Sequence, residues 1–373
     1  MDWMLEHWHA FPWRNKGVGI AFVKGKPFIV TDASAFDEVG HHKRLIVAHL
    51  ALFEALSATF GEAIPDVEFL VSTADEPVVL TTKYATRGSN RDPPGIPPVL
   101  RFCKSDSFAD ILVPDIHFFS RNFTHSLLHS ADAFNSAWPW AKKKAGLFGR
   151  FSPYVRAVNM HAPELFREGK EGRNICVRTA NPSLLGCDVR KHYIWQYARG
   201  AKRSGLPVDV AQQPKKDMLY HASHKYLLHL DGQSCSSRLE QLLVLGSAVV
   251  KEESGYRAFF HHLLQPYKHY IPFWKKRPEE TADALAWAAE HDDEAAQIAA
   301  RAQRFALQYL HRRALMCYWL TLLKELSPLL RYKVGPEAGN RTFPHWTPVE
   351  EYMQAEGGKE LRKHHMSAME FWD

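Results

Sequence analysis

The segment Tyr226–Lys251 limits the fold more than any other part of the chain. Tyr226–Leu230 is a short, mostly apolar run, Asp231–Ser237 (DGQSCSS) is a polar turn, Arg238–Leu245 carries helical periodicity, and Ala248–Lys251 is a second apolar run. Strand, turn, helix and strand in that compass make a βαβ unit, so the two strands lie parallel in one sheet and the architecture is α/β.

Upstream, Pro27–Thr31 and Val67–Thr73 are short apolar runs that flank an amphipathic helix pattern over about His42–Phe60. A Pro-rich loop, Arg91–Pro98, leads into Val99–Lys104. Residues 20–105 are therefore expected to form a β/α layer with a parallel sheet. Ligands gather at the carboxyl ends of such strands, which singles out Thr73–Pro77 (TADEP). Ser136–Lys216 is rich in aromatic, basic and turn residues without a long period, and is expected to hold the crossover into a second domain. Glu279–His291 and Glu294–Arg331 show helical periodicity without strand signals.

With 373 residues, 46% hydrophobic and 24% charged, the chain can fill one large domain or two middling ones, which excludes a disordered chain, a collagen or a coiled coil. Lysine and arginine (47) exceed aspartate and glutamate (41) by six, and the basic residues are scattered rather than striped, so no nucleic-acid partner is expected. No run approaches the roughly 18 apolar residues of a membrane span. Residues 1–30 lack the pattern of a signal peptide, so the chain as given reads as soluble. Five cysteines leave at least one free thiol, and only Cys176 and Cys187 are spaced for a local bridge. Sequons stand at Asn122 and Asn340.

Several familiar signatures are incomplete. Gly17-Val-Gly19-Ile-Ala-Phe22 lacks the third glycine of a dinucleotide loop. Gly232-Gln-Ser234-Cys-Ser236 has serine where a nucleophile elbow needs its second glycine. Three histidine pairs, His41–His42, His261–His262 and His364–His365, fit no zinc-ligand spacing, and no metal site is expected. What remains is His224–Pro272, where a strand ends in Asp231-Gly232 and Arg238 opens a helix. Glycine admits a ligand to the backbone, helix N–H groups attract anions, and arginine presents a planar fork to phosphate oxygens. The same residues also read as a plain helix cap, with Ser236 or Ser237 capping and Arg238 in solvent.

Four pieces of this segment fall in one order and spacing: Lys225–Gly232, Ser236-Ser237-Arg238, Gly246–Lys251 and Gln265–Pro272 (QPYKHYIP). Together they resemble glycosyltransferase family 90, which includes Rumi-type and KDEL-containing protein O-glucosyltransferases and fungal capsule xylosyltransferases. Ile64–Phe69 leading to Asp75-Glu76-Pro77, Ala109–Pro114 and Trp138-Pro139-Trp140 extend the resemblance from about residue 60 to about residue 330. Three departures stand out. Phe148-Gly149-Arg150-Phe151 replaces the family's phenylalanine-arginine-glycine-serine, and Ala74 and Ala258 stand where relatives carry an arginine and an acidic residue.

The resemblance implies a GT-B fold, two Rossmann-like domains with a cleft between them and a helical C-terminal region. The expected division is an N-terminal, acceptor-side domain over 1–135, a UDP-sugar-binding domain with C-terminal helices over 136–332, and a tail over 333–373. It also implies an inverting transfer of glucose or xylose from a UDP-sugar to a hydroxyl of a protein or glycan. Asp75 is the expected general base, with Glu76 and Asp110 as alternatives, although a loop or capping aspartate has the same spacing. Arg150, Asp231, Gly232, Ser236, Ser237, Arg238, Lys251, Ser254 and Tyr256 are the expected UDP-sugar-binding residues. There is no Asp-x-Asp triplet, so fixed positive groups rather than a metal are expected to meet the diphosphate, and no cofactor is expected. Trp138–Trp140 is expected to pack as buried aromatics and Lys142–Lys144 to be a solvated face. The resemblance implies the endoplasmic reticulum or Golgi lumen as the place of work, although no signal, anchor or retention tail is visible. The rival expectation is a relative that keeps the fold and binds a UDP-sugar or glycan without turnover.

Overall fold

Val18, Ile20, Ala21 and Phe22 of the strand Gly17–Val23 (β1) are all fully buried, and the strand turns back on itself through Lys24 and Gly25 into Lys26–Ile29 (β2). Both turn residues have positive φ, 49° and 74°, the geometry of a tight hairpin. A Cβ on Gly25 would meet the Gly61 carbonyl at 2.2 Å, so only glycine fits there. The computed structural model describes residues 16–82, 96, 98–120, 123–194, 205–337 and 345–363. Both sequons, most of the loop 91–98 and the last ten residues lie outside the described residues.

The chain divides into two units. The first comprises Met1–Phe102, Phe108–Phe123 and Arg312–Asp373. Its sheet adds Val67–Ser72 (β3), Val99–Arg101 (β4) and Ile111–Leu112 (β5), in the order Thr347–Pro348, β2, β1, β3, β4, β5. β3, β4 and β5 are parallel, as expected, but β1 runs antiparallel to both β2 and β3. The expectation of a wholly parallel layer fails here because a two-residue turn can only reverse the chain. The expected helix is present as His42–Phe60. Its Phe53 meets Phe22 and Phe69 of the sheet at 5.9 and 5.7 Å, and Trp319 of the helix Arg312–Leu326 at 5.5 Å. His42–Ala63 is long and apolar enough to cross a membrane, at a mean hydropathy of 1.4, yet its apolar side chains form this core.

The second unit comprises Cys103–Ser107 and Thr124–His311. Against the division expected at residues 135 and 332, helix Arg312–Leu326 and the residues after it belong with the first unit, where Trp319 is buried. The central sheet of the second unit is wholly parallel. In chain order the strands are Lys144–Arg150 (β6), Val208–Ala211 (β10), His224–His229 (β11), Ala248–Glu252 (β12) and Ile271–Phe273 (β13), and they stand side by side as β10, β6, β11, β12, β13. The three strands between β6 and β10, Arg156–Asn159 (β7), Cys176–Arg178 (β8) and Leu184–Cys187 (β9), form a small antiparallel sheet.

β6 carries little strand signal because two of its residues are glycines, yet both are sterically required. A Cβ at Gly146 or Gly149 would lie 2.7 Å from the Pro207 carbonyl oxygen or the Phe151 ring. Phe148 between them is fully buried and stacks on His224 at 4.4 Å. Just before β6, Lys142 and Lys144 are exposed, but Lys143 is buried, which corrects the expected solvated run. Its ammonium donates to the Ala222 and Leu245 carbonyls and to Ser247 Oγ, and burial without a counter-charge lowers its pKa to about 8. Trp140 is half-buried rather than buried; it packs on Tyr226 and donates its indole N–H to Asp292 at 3.1 Å.

Candidate functional site

In the second unit, the turn after β11 folds around Asp231, which has no exposed surface. Its Oδ1 accepts the Ser236 N–H at 2.9 Å and its Oδ2 accepts the hydroxyl of Ser254, so one carboxylate joins the turn after β11 to the turn after β12. Burial alone would raise the Asp231 pKa; nearby His229, Lys251 and Arg156, with the Ser254 hydrogen bond, hold it below the usual carboxylate range. The backbone of the same turn is clamped from behind. Arg156 makes a bidentate pair with Glu252 at 2.7 and 2.8 Å, both side chains being buried, and two further N–H groups, on Nη2 and Nε, donate to the carbonyls of Asp231 and Gly232. Glu252 in turn accepts the Asp231 N–H at 3.1 Å. Arg190 donates to the carbonyls of Asp231 and Leu230 and to Ser236 Oγ at 3.1 Å.

Arg156 and Arg190 are not legible as site residues in the sequence. Arg156 and Arg190 lie 75 and 41 positions from Asp231, in the stretch without periodicity, where no local signal marks them. Glu252 adjoins the expected Lys251 and was the findable one, as a carboxylate at a strand end.

Arg238 differs from these arginines. Its helix, Arg238–Leu243, is one of short compass, so a helix dipole adds little, and Ser237 at the cap position makes no capping hydrogen bond through its side chain. The plain-cap alternative is therefore not what holds the turn; Asp231 and Arg190 hold it. Arg238 has no ion pair or hydrogen bond through its guanidinium among the described residues, and burial alone lowers its pKa. Its charge reaches Arg190 and His221, and that of Arg150 also reaches His221. Arg150 itself is engaged: it pairs with Asp209 at 2.8 Å and donates to the carbonyls of Pro214, Gly149 and Asp209. The result is a positive field with one uncompensated, partly desolvated guanidinium, which an anion would complete.

Lys251, Ser254 and Tyr256 line one cavity of about 190 Å³ at the end of β12, with Asp106, Glu253, Gly255, Arg257, His261, Leu264 and Tyr270. Lys251 is buried, donates to the Glu252 carbonyl at 3.0 Å and lies over the Tyr270 ring at 5.3 Å. The Tyr256 hydroxyl donates to the Ala157 carbonyl at 2.9 Å, and burial lowers the His261 pKa to about 3, so this imidazole is neutral at ordinary pH. The Cys103–Cys235 disulfide ties the turn itself down, with Cα atoms 5.6 Å apart. A bridge across 132 positions has no spacing signature, whereas Cys176 and Cys187, the pair spaced for a local bridge, are bonded and stand directly opposite each other on β8 and β9. Cys317 is free and exposed. In the loop-entropy account, opening Cys103–Cys235 by paired serine substitution costs about 5 kcal/mol and opening Cys176–Cys187 about 3 kcal/mol. Urea unfolding of the two variants without reductant should show that order, and the reverse order would contradict it.

In the first unit, Asp75 follows β3. Its carboxylate is half-buried and has no hydrogen-bond partner among the described residues. Burial raises its pKa, Glu76 raises it further, and Arg101 and Lys16 oppose the rise. Asp110 is fully buried and accepts the N–H groups of Val78 and Val79 at 2.8–3.2 Å, which occupies it as a brace of the segment that follows Asp75. His42, at 3.1 Å from Thr73 Oγ1, is held neutral by burial with a pKa of about 4.

The sequence profile of the family described as Glycosyl transferase family 90 matches residues 34–354. Protein O-glucosyltransferase 1 of Rattus norvegicus is 26% identical over 287 residues, covering 73% of this chain and 64% of its own length. The Homo sapiens protein of the same name is 27% identical over 292 residues, covering 74% and 66%. O-glucosyltransferase rumi of Drosophila melanogaster is 26% identical, covering 74% and 63%. The match thus spans somewhat under two thirds of the length of these curated relatives. A solved structure, Anabaena Alr3699/HepE in complex with UDP and glucose, is 15% identical over 53% of each chain at a TM-score of 0.31, too loose a likeness to bear on the assignment. Two α/β units, a parallel sheet whose strand-end turn carries Asp231 and Arg238, and a profile match over most of the sequence agree: the chain belongs to glycosyl transferase family 90.

Proposed function

We propose that this chain is an inverting glycosyltransferase that moves glucose or xylose from a UDP-sugar to a hydroxyl of a protein or glycan. The observation that carries the reading is Arg238, a partly desolvated guanidinium without a partner among the described residues, at the carboxyl end of a parallel strand and inside the family's segment. Strand ends of this kind are where doubly wound sheets hold nucleotides. Arg238 grips the diphosphate, Arg150 adds positive field, the hydroxyl of Ser237 and the backbone N–H groups of Ser237 and Arg238 donate to phosphate oxygens, and Lys251 adds charge from β12. Asp231, Gly232, Ser254 and Tyr256 shape the two turns that carry these groups.

Chemistry follows from these roles. Asp75 accepts the proton of the acceptor hydroxyl as its oxygen bonds to the anomeric carbon, the bond from that carbon to the diphosphate oxygen breaks, and its electron pair leaves with UDP. The guanidinium groups stabilise that charge, so the transfer needs no metal ion. A protein acceptor is supported by the names of the relatives, which are protein O-glucosyltransferases. Two disulfides support a working place in an oxidising compartment such as the secretory lumen. Calorimetric titration with UDP tests the reading: saturable binding of one UDP per chain in the presence of EDTA is expected, and no heat of binding would overturn it.

A further inference from the structure

The segment Leu263–Tyr270 has two sides. Leu264 and Tyr270 line the cavity beside Lys251, whereas Lys268 and His269 line a second cavity of about 290 Å³ against the helix Asp292–Tyr309. Arg301 and Arg304 complete its charged wall, Phe305 and Tyr309 form an aromatic face, and no carboxylate lines it. Lys268 and Arg304 form no ion pair through their side chains among the described residues, and Arg301 spends one N–H on Gln297 at 2.8 Å.

His269 supplies the oriented donor. It is nine-tenths buried, its ring lies 5.5 Å from that of Phe305, and its Nδ1 accepts the backbone N–H of Gln265 at 3.0 Å. A backbone amide can only donate, so the ring proton sits on Nε2, which makes no hydrogen bond among the described residues. Burial, Lys268 and Arg301 all lower its pKa, which keeps this tautomer neutral. Three cations and one N–H donor without an acid call for an oxyanion, and a cavity of this size with an aromatic wall has room for a body that presents a flat, partly apolar face.

We propose that this cavity binds a tetrahedral oxyanion, phosphate or sulfate ester, carried on a sugar-sized body, at a site separate from the proposed donor site. The inference does not rest on the transferase reading. Arg304 is exposed and its removal leaves the helix intact, so the test uses the full chain and calorimetry with glucose-6-phosphate, glucose-6-sulfate and glucose. Saturable binding of an ester but not of glucose is expected, weakened about tenfold in Arg304→Ala, abolished in the Arg301→Ala/Arg304→Ala pair and unchanged in Arg238→Ala. A preference of about tenfold for the phosphate ester would identify a phosphorylated sugar as the source, and the opposite preference a sulfated glycan; either supports the site. Lack of ester binding up to about 10 mM, loss of it in Arg238→Ala alone, or binding of an oligoglutamate peptide in place of both esters would overturn the proposal.

Discussion

Arg238→Ala is expected to weaken UDP binding by about a hundredfold or more, with the folded protein as stable as before. Each charge-assisted hydrogen bond to a phosphate oxygen contributes roughly 1.5–3 kcal/mol, and a guanidinium that meets the diphosphate with two N–H groups supplies two of them. Stability is spared because Arg238 makes no ion pair or hydrogen bond through its guanidinium among the described residues, and removing it also relieves repulsion with Arg190. Arg238→Lys should recover only part of the loss, since an ammonium cannot reproduce the planar fork. Arg156→Ala is the informative contrast. It leaves Glu252 as an unpaired buried carboxylate, and breaking a pair of that kind costs about 3–5 kcal/mol, so its signature is a lower melting temperature. Equal effects of the two substitutions on UDP affinity and on melting would contradict the distinction between a ligand-gripping and a turn-holding arginine.

Asp75→Asn is expected to lower kcat by about two to four orders of magnitude while UDP affinity stays within about twofold. The amide keeps the shape of the side chain and removes its capacity to take a proton. The native pH profile carries the sign. Burial and then Glu76 favour the neutral carboxyl of Asp75, so the base is lost to protonation as pH falls, and the acid limb of kcat/KM lies above the usual carboxylate range. Asp75→Asn should lack that limb in its residual rate. An Asn variant with full activity would assign the base elsewhere, and Asp110, already committed to the Val78 and Val79 amides, is poorly suited to replace it.

Segments whose structure depends on their own residues were readable before the fold was known. The helix His42–Phe60 and the succession β11, turn, helix, β12 follow from hydrophobic period and turn chemistry, and the candidate turn Asp231–Arg238 came with them. Elements that depend on distant partners were not readable. β6 is a strand because neighbouring strands and Pro207 and Phe151 leave space only for glycine, which on its own is a weak strand former. Arg156 and Arg190 act on backbone carbonyls far along the chain, and Lys143 is buried because three acceptors from other segments converge on it. By residue type and position Asp231 reads as ligand-binding, while the structure commits both of its oxygens to the turns themselves. Its contribution to the proposed site is therefore the placement of Ser236–Arg238.

The central claim is a metal-independent transfer in which Asp75 is the base. The measurement that tests it most directly is UDP release from UDP-glucose and UDP-xylose in EDTA, native chain against Asp75→Asn, with UDP affinity measured alongside. Release from one donor by the native chain, lost in Asp75→Asn at unchanged UDP affinity, is the predicted result. Tight UDP binding without release from either donor, when protein and glycan acceptors are supplied, would contradict it and identify a relative that binds without turnover.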